Sequence, residues 1–466
     1  MVAEIRSGVK STTDGLRRAR ALNALRQRHP LTATDNGSLS LLARNAREGA
    51  KNSTWSPTDS DERLLNEYFD RVFPLQFPFY VASVPERGHG WLRSLMRRCE
   101  PLCYAALALA IVYRNSSSDR VDVLHGPSRE HEQQQLYALA VTGLRQHIDR
   151  LSKKSLQEGL RGGIEVFACV TYLIMLEDDD EQVEAAAKEA SSIDSSLSLV
   201  DHVAMEFFSA VFLWLDTLAT VSTGRRPRFA DVCAAAFGAP DCKVRLRSIM
   251  GCENWVMIVI RDIAVLDGLV RDEQGGHPHP RRGEGVRRKY IELKDRLQLG
   301  LAEPWESYLS LLARGTKDSA AAEHRLIQAT PIVTHIFACA AMVYLTVVVS
   351  GRPDPHNPEI RDAVSRSIRI FRALPDDIHV QMLHGMLWPF CITGCMALKD
   401  QESSFEYLAL KAAGTTVVHQ GPDTLWRALQ VMRTCWRIRS GQSLEGVPSV
   451  DWFSAMSTLG YQVLLV

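Results

Sequence analysis

Period-two alternation of apolar and polar residues is nearly absent from this sequence, as are Asn-Gly hairpin turns, so β structure is expected to be minor. Neither charge is in surplus: 54 Lys and Arg face 54 Asp and Glu. The molecule as a whole therefore lacks the electrostatic footprint that neutralises nucleic-acid phosphates, and any such contact must be local. The opening MVAEIRSGVKSTTDG has no apolar core segment, which argues against secretion. G-x-S-x-G, H-E-x-x-H, Walker A and G-x-G-x-x-G motifs do not occur, so nothing local points to a catalytic elbow, a zinc hydrolase or a phosphate-cradling loop. No fixed-period repeat is visible, which disfavours a regular solenoid.

What is present is a globular composition, 46% apolar and 23% charged over 466 residues, ample for a large buried core. Ten cysteines are scattered, mostly within apolar stretches such as GIEVFACVTYLIML and HIFACAAMVYL, where a thiol packs as a small hydrophobe and a reducing compartment fits best. The segment Ile332–Val349 runs for 18 residues without a formal charge. A buried central helix is expected there rather than a membrane span, because Thr334, His335 and Thr346 interrupt it and no aromatic or basic belt flanks both ends.

Residues 1–60 differ from the rest, being rich in Ser, Thr, Asn and Arg with few aromatics, and read as a flexible basic tail. Up to Lys51 they hold ten basic residues and four acids, 10 − 4 = +6. LRRARALNALRQR within them could form a short amphipathic helix with Leu16, Leu22 and Leu25 on one face, a solvated linker being the plainer reading. Residues 61–466 form the second unit. SDERLLNEYFDRVF starts a capped helix at Ser60 or Asp61 that Pro74 ends; EPLCYAALALAIVY is apolar on every side; Leu136, Ala140, Leu144 and Ile148 form one stripe. Gly162 and Gly163 mark a break, and loops are expected at 114–130, 177–195 and 271–287. The fold class is thus all-α, an irregular array of antiparallel helical hairpins in one large domain.

Few residues suggest chemistry. Cys99 with Cys103, and Cys391 with Cys395, stand at i, i+4 on helices, with His384 nearby, but their apolar surroundings favour core packing over zinc. His277 and His279 read as solvated loop histidines. The acidic run Glu177–Glu181 raises a different reading, an all-α enzyme such as a magnesium-dependent terpene cyclase, but the second ligand motif is missing downstream. No catalytic, cofactor or metal residue is assigned. Glu206, Asp216, Glu253, Asn254, Arg261 and Asp262 stand on apolar helices and are expected to pair across them, for example Asp216 with Arg261, because unpaired burial costs several kcal/mol.

The ordered blocks LLNEYFDRVFPLQFPFY, WLRSLMRRCEPLCYAALALA, FFSAVFLWLDTLATVSTGRRPRF, IMGCENWVMIVIRDIAVLD, VVVSGRPDPHNPEI and LHGMLWPFCITGCMALKDQESSFEYL resemble the fungal-specific transcription factor domain, in particular proteins of the acriflavine sensitivity control type. The resemblance covers roughly residues 60–440. It implies a non-catalytic, nuclear, α-helical regulator that works through contacts with other transcription regulators or with itself as a homodimer, on a metabolic or drug-response programme. Members usually carry an N-terminal six-cysteine zinc cluster. Here the first cysteine is Cys99, so no zinc ligand carries over and direct DNA binding is in doubt, with a truncated gene model, a cofactor that acts by binding a regulator, and a relic with another role all open. Sterol-responsive relatives further imply an apolar small-molecule effector, for which Trp214, Trp255, Phe337, Trp388 and Phe390 are the candidate lining.

Overall fold

The helical region starts at Thr58. Its hydroxyl accepts from the Asp61 backbone N–H (3.2 Å), and the Asp61 carboxylate accepts from the Thr58 N–H (2.9 Å), a reciprocal capping box that opens α1 (Asp59–Glu67). The cap therefore lies slightly ahead of Ser60. A computed structural model describes residues 57–80, 89–117, 126–151, 156–176, 198–224, 244–274, 280–314, 328–375, 382–383, 385–415, 424–441, 450–461 and 463. The basic segment 16–28, the acidic run Glu177–Glu181, His277, His279 and His384 lie outside the described residues.

Pro74 does not end the first helix. A π-helical turn, Tyr68–Val72, carries the chain directly into a short helix α2 (Phe73–Gln76), and Pro74 sits in its first turn, where a missing N–H costs little. The departure comes at Phe77. There follow α3 (Gly90–Arg98), α4 (Glu100–Ser117), α5 (Gly126–Leu151), α6 (Leu156–Leu176) and α7 (Leu199–Thr223). The apolar run 101–113 of α4 is enclosed by α1, α3, α5 and α6, as its lack of a polar face requires. On α5, Ala140, Leu144 and Ile148 are buried, and Leu136 is half-buried against the same core.

Gly162 and Gly163 do not break the chain either: α6 runs through both. A Cβ on Gly162 would stand 1.9 Å from Leu151 Cδ2, so the glycine lets α6 approach the end of α5. These helices are also tied by charge. The Arg98 guanidinium pairs with Glu165 (2.9 Å) and with Asp201, and Arg161 meets Asp201 at 3.3 Å, so α3, α6 and α7 share one ionic knot, to which α5 brings the His147 imidazole 3.1 Å from Glu165.

The second half comprises α8 (Asn254–Gln274), α9 (Pro280–Leu301), α10 (Trp305–Arg314), α11 (Thr330–Ser350), α12 (Pro358–Ala373), α13 (Leu387–Cys395), α14 (Lys399–Thr415), α15 (Thr424–Ser440) and α16 (Trp452–Leu459). The expected loop 271–287 is thus helical at both ends. Among the described residues two helices, α7 and α11, are long and apolar enough to cross a membrane, but 94% of the apolar window of α11 is buried inside this fold. α11 packs against α8, α9, α10, α12 and α13, and every side chain from Ile332 to Val348 is buried. Its hydroxyls are satisfied within the helix, Thr334 donating to Thr330 O and Thr346 to Met342 O, both at 2.8 Å. The halves join where α7 meets α8 and α16. Among the described residues there is no strand, and the all-α architecture of packed neighbouring helices is as the sequence suggested.

Candidate functional site

The C-terminal half concentrates aromatic and sulfur side chains around α13. Its sequence, LWPFCITGC, has no polar face, and all nine residues are buried. Phe337 of α11 stacks on Trp388 of α13 with ring centroids 5.9 Å apart and planes 9° from parallel. Phe390 meets Phe371 of α12 edge-on at 5.5 Å and Phe405 of α14 at 5.4 Å. Three of the five candidate lining residues, Phe337, Trp388 and Phe390, therefore gather where α11, α12, α13 and α14 converge.

Trp255 stands elsewhere, in the first turn of α8, with its indole over Gly300 of α9, where a Cβ would be 2.2 Å from the ring. Trp214 is buried on α7. The indole N–H groups of Trp214 and Trp388 are enclosed and have no acceptor among the described residues. A buried donor without an acceptor costs about 1–3 kcal/mol. Chemically, each can offer one hydrogen bond to an otherwise apolar molecule.

The thiols are packing groups. Cys391 and Cys395 lie 3.9 Å apart, Cys391 donates to Ala428 O at 3.8 Å, and Cys435 of α15 donates to Asp451 O at 3.4 Å. Burial pushes the Cys395 thiol well above its ordinary value, and the contact with Cys395, then burial, does the same to Cys435. Burial likewise pushes Cys99 up to about 12. Metal binding needs the thiolate. Among the described residues no three His, Cys, Asp or Glu side chains converge to hold a metal ion.

The expected bond between Asp216 and Arg261 is not the one formed. Arg261 pairs with its neighbour Asp262 (2.5 Å), which also draws Arg296 (3.6 Å) and Lys289 (4.0 Å) from α9. The cation-rich α9 makes Asp262 the anionic centre of that contact. Glu206 is exposed. Asn254 acts on the backbone: its side chain accepts from the Leu246 N–H (2.9 Å) and donates to Val244 O (2.7 Å), pinning the chain that leads into α8.

Sequence reasoning passed over Asp267. Its carboxylate accepts from the Tyr344 hydroxyl (3.1 Å) and from two Arg271 nitrogens (2.9 and 2.8 Å), while Arg271 reaches Gly224 O at 3.0 Å. The i, i+4 spacing of Asp267 and Arg271 was the available signal. His335, on the apolar α11, is held down to about 4 by burial and then by the Arg366 guanidinium, so it is a neutral core imidazole. Arg366 itself donates to Leu301 O at 2.8 Å.

Comparison with known proteins places this geometry in context. The family model described as "Fungal specific transcription factor domain" matches residues 63–466. The chain is 26% identical over 443 residues to "Trichothecene biosynthesis transcription regulator TRI10" of Trichoderma arundinaceum, covering 86% of this chain and 97% of that one. It is 24% identical over 378 residues to "Pestheic acid cluster transcriptional regulator 3" of Pestalotiopsis fici, covering 74% of this chain and 65% of that one. It is 23% identical over 442 residues to "ustiloxin B cluster transcription factor ustR" of Aspergillus flavus, covering 86% of this chain and 72% of that one. It thus spans nearly the whole of the first relative but only about two thirds of the second. No solved structure matches.

Proposed function

We propose, from the premise that this chain belongs to the fungal-specific transcription factor domain family, that it regulates transcription of a gene cluster for a secondary metabolite. The observation that carries this is the family match across residues 63–466 together with relatives named for regulating such clusters. These relatives are named for trichothecene, pestheic acid and ustiloxin B, three chemically different products, so the family sets the kind of gene cluster and not its product. The three relatives are named as regulators, which gives the terpene cyclase alternative no support.

In this reading the helical body acts in the nucleus and without catalysis, by contact with other regulators or with a second copy. An apolar small molecule with one acceptor for the Trp388 indole N–H is the proposed effector class, and its entry at the Phe337–Trp388–Phe390 region requires those packed rings to part. Trp214 and Trp255 are retained only as further candidates for its lining.

The test is a reporter assay with the full chain fused to a heterologous DNA-binding module. A change in reporter transcript supports regulation through protein contacts. An unchanged reporter, with magnesium-dependent turnover of an isoprenoid diphosphate by the purified chain, would reverse the reading. For the effector, a thermal-shift screen over sterols and polyketides should raise the melting midpoint of the native chain, with the gain lost in Trp388→Phe.

A further inference from the structure

α9 packs on α8 and α11 through Leu293 and Leu297 and leaves its opposite face uncovered. That face carries Arg288, Ile291, Asp295 and Leu299, all exposed. Leu299, 77% exposed, is the most exposed large apolar side chain among the described residues, and Ile291 is 48% exposed. Arg288 and Asp295 are two helical turns apart on the same stripe, and neither has an ion-pair or hydrogen-bond partner among the described residues. Their neighbours on α9 are engaged: Lys289 with Glu292 (3.1 Å), Lys294 with Glu359, and Arg296 with Asp262 (3.6 Å). Near the start of the same helix, nothing lies within 4 Å of where a Cβ on Gly285 would stand.

One stripe thus bears a cation and an anion, each without a partner among the described residues, and two bare aliphatic side chains, in an order that sets cation against anion on its own reversal. We propose that this face of α9 binds a second copy of the chain, helix against antiparallel helix, about a two-fold axis passing between Ile291 and Glu292. In that register Arg288 faces the partner's Asp295 and Asp295 faces the partner's Arg288, as a closed isologous contact requires. Ile291 comes to the axis, and Leu299 comes opposite the partner's Glu284, whose counterpart on this chain is exposed. The two Glu292 carboxylates flank the axis, each already held by Lys289. Moving the axis to Asp295 or to Arg288 would set like charges against each other, so charge selects the register.

The stripe from Gly285 to Leu299 is only ~21 Å long at 1.5 Å per residue. It offers less than the roughly 800 Å² per partner of a standard interface. A weak, salt-sensitive dimer follows. This deepens the proposal that the helical body works by contact, but its test does not read transcription, so the two can fail separately.

The experiment is sedimentation velocity of the full chain over a concentration series. The wild type should show a monomer–dimer equilibrium that salt weakens. R288E or D295R alone should raise the dissociation constant about 10-fold or more through like-charge opposition. R288E combined with D295R restores the opposite-charge pairs and should recover the dimer, with circular dichroism confirming that these surface variants stay folded. A wild type that remains monomeric at its highest soluble concentration overturns the proposal. So does a dimer that the single variants leave unchanged, or a double variant no better than the singles.

Discussion

Tyr68 and Tyr172, from helices far apart in the chain, meet hydroxyl to hydroxyl at 2.7 Å inside the N-terminal half. Tyr68 also donates to Gln76 Oε1 at 3.2 Å, whereas among the described residues the Tyr172 hydroxyl bonds only to Tyr68. Losing one hydroxyl is therefore not equivalent to losing the other. Tyr172→Phe leaves Tyr68 its bond to Gln76 and should cost about 1 kcal/mol, whereas Tyr68→Phe strands the buried Tyr172 hydroxyl and should cost about 1–3 kcal/mol. Urea unfolding of the two variants checks the order, and equal costs would show that Tyr172 has another outlet.

Gly300→Ala reverses the usual rule. In an exposed helix the change stabilises by about 1 kcal/mol, but here the new methyl would meet the Trp255 ring at 2.2 Å. The rigid indole must leave its position, and the expected loss is about 1–3 kcal/mol. A lowered urea midpoint with altered tryptophan fluorescence is the expected result.

Acid should weaken the fold before any carboxylate titrates in bulk. His335 binds a proton at about 4 in the folded chain against an ordinary value of 6.5, because burial and then Arg366 disfavour its charge. The unfolded chain therefore takes up the proton first, and stability present above about pH 6.5 falls as the pH drops toward 4, by about 1–3 kcal/mol. Urea midpoints at pH 7 and pH 4.5 measure it, and His335→Gln should flatten the difference. Asp201 adds its own loss only at lower pH: burial works to raise it, but Ser198, Arg98 and Arg161 together hold it below its ordinary value.

The eight described cysteines, among them Cys391, Cys395 and Cys435, are free and buried. Each should react with a thiol reagent only as fast as the fold opens. Labelling followed by peptide mass analysis resolves them one by one, and rapid native labelling of Cys391 or Cys395 would mean that α13 is more accessible than its packing allows.

The helices themselves were legible because apolar spacing is local information. Leu144 and Ile148 announce their face by interval alone, and Ile332–Val348 by the absence of any polar side. What escaped depends on a neighbour distant in sequence. Gly162 looks like a breaker until Leu151 stands against it. Pro74 looks like a terminator until the π-turn before it places the ring in a first turn. Arg261 and Asp216 are both ionic on apolar helices, which suggests a pair, yet Arg261 meets the adjacent Asp262 instead. Of the proposed lining, only Phe337, Trp388 and Phe390 came together, and no periodicity could have separated them from Trp255, whose place is set by a glycine on another helix.

The central claim is that this chain governs a biosynthetic gene cluster, and the most direct measurement is transcript abundance across such a cluster in the encoding organism after deletion of its gene. The account predicts a coordinated change in the cluster's transcripts that returning the gene reverses. Unchanged transcripts, with the metabolite lost at a single enzymatic step, would contradict it.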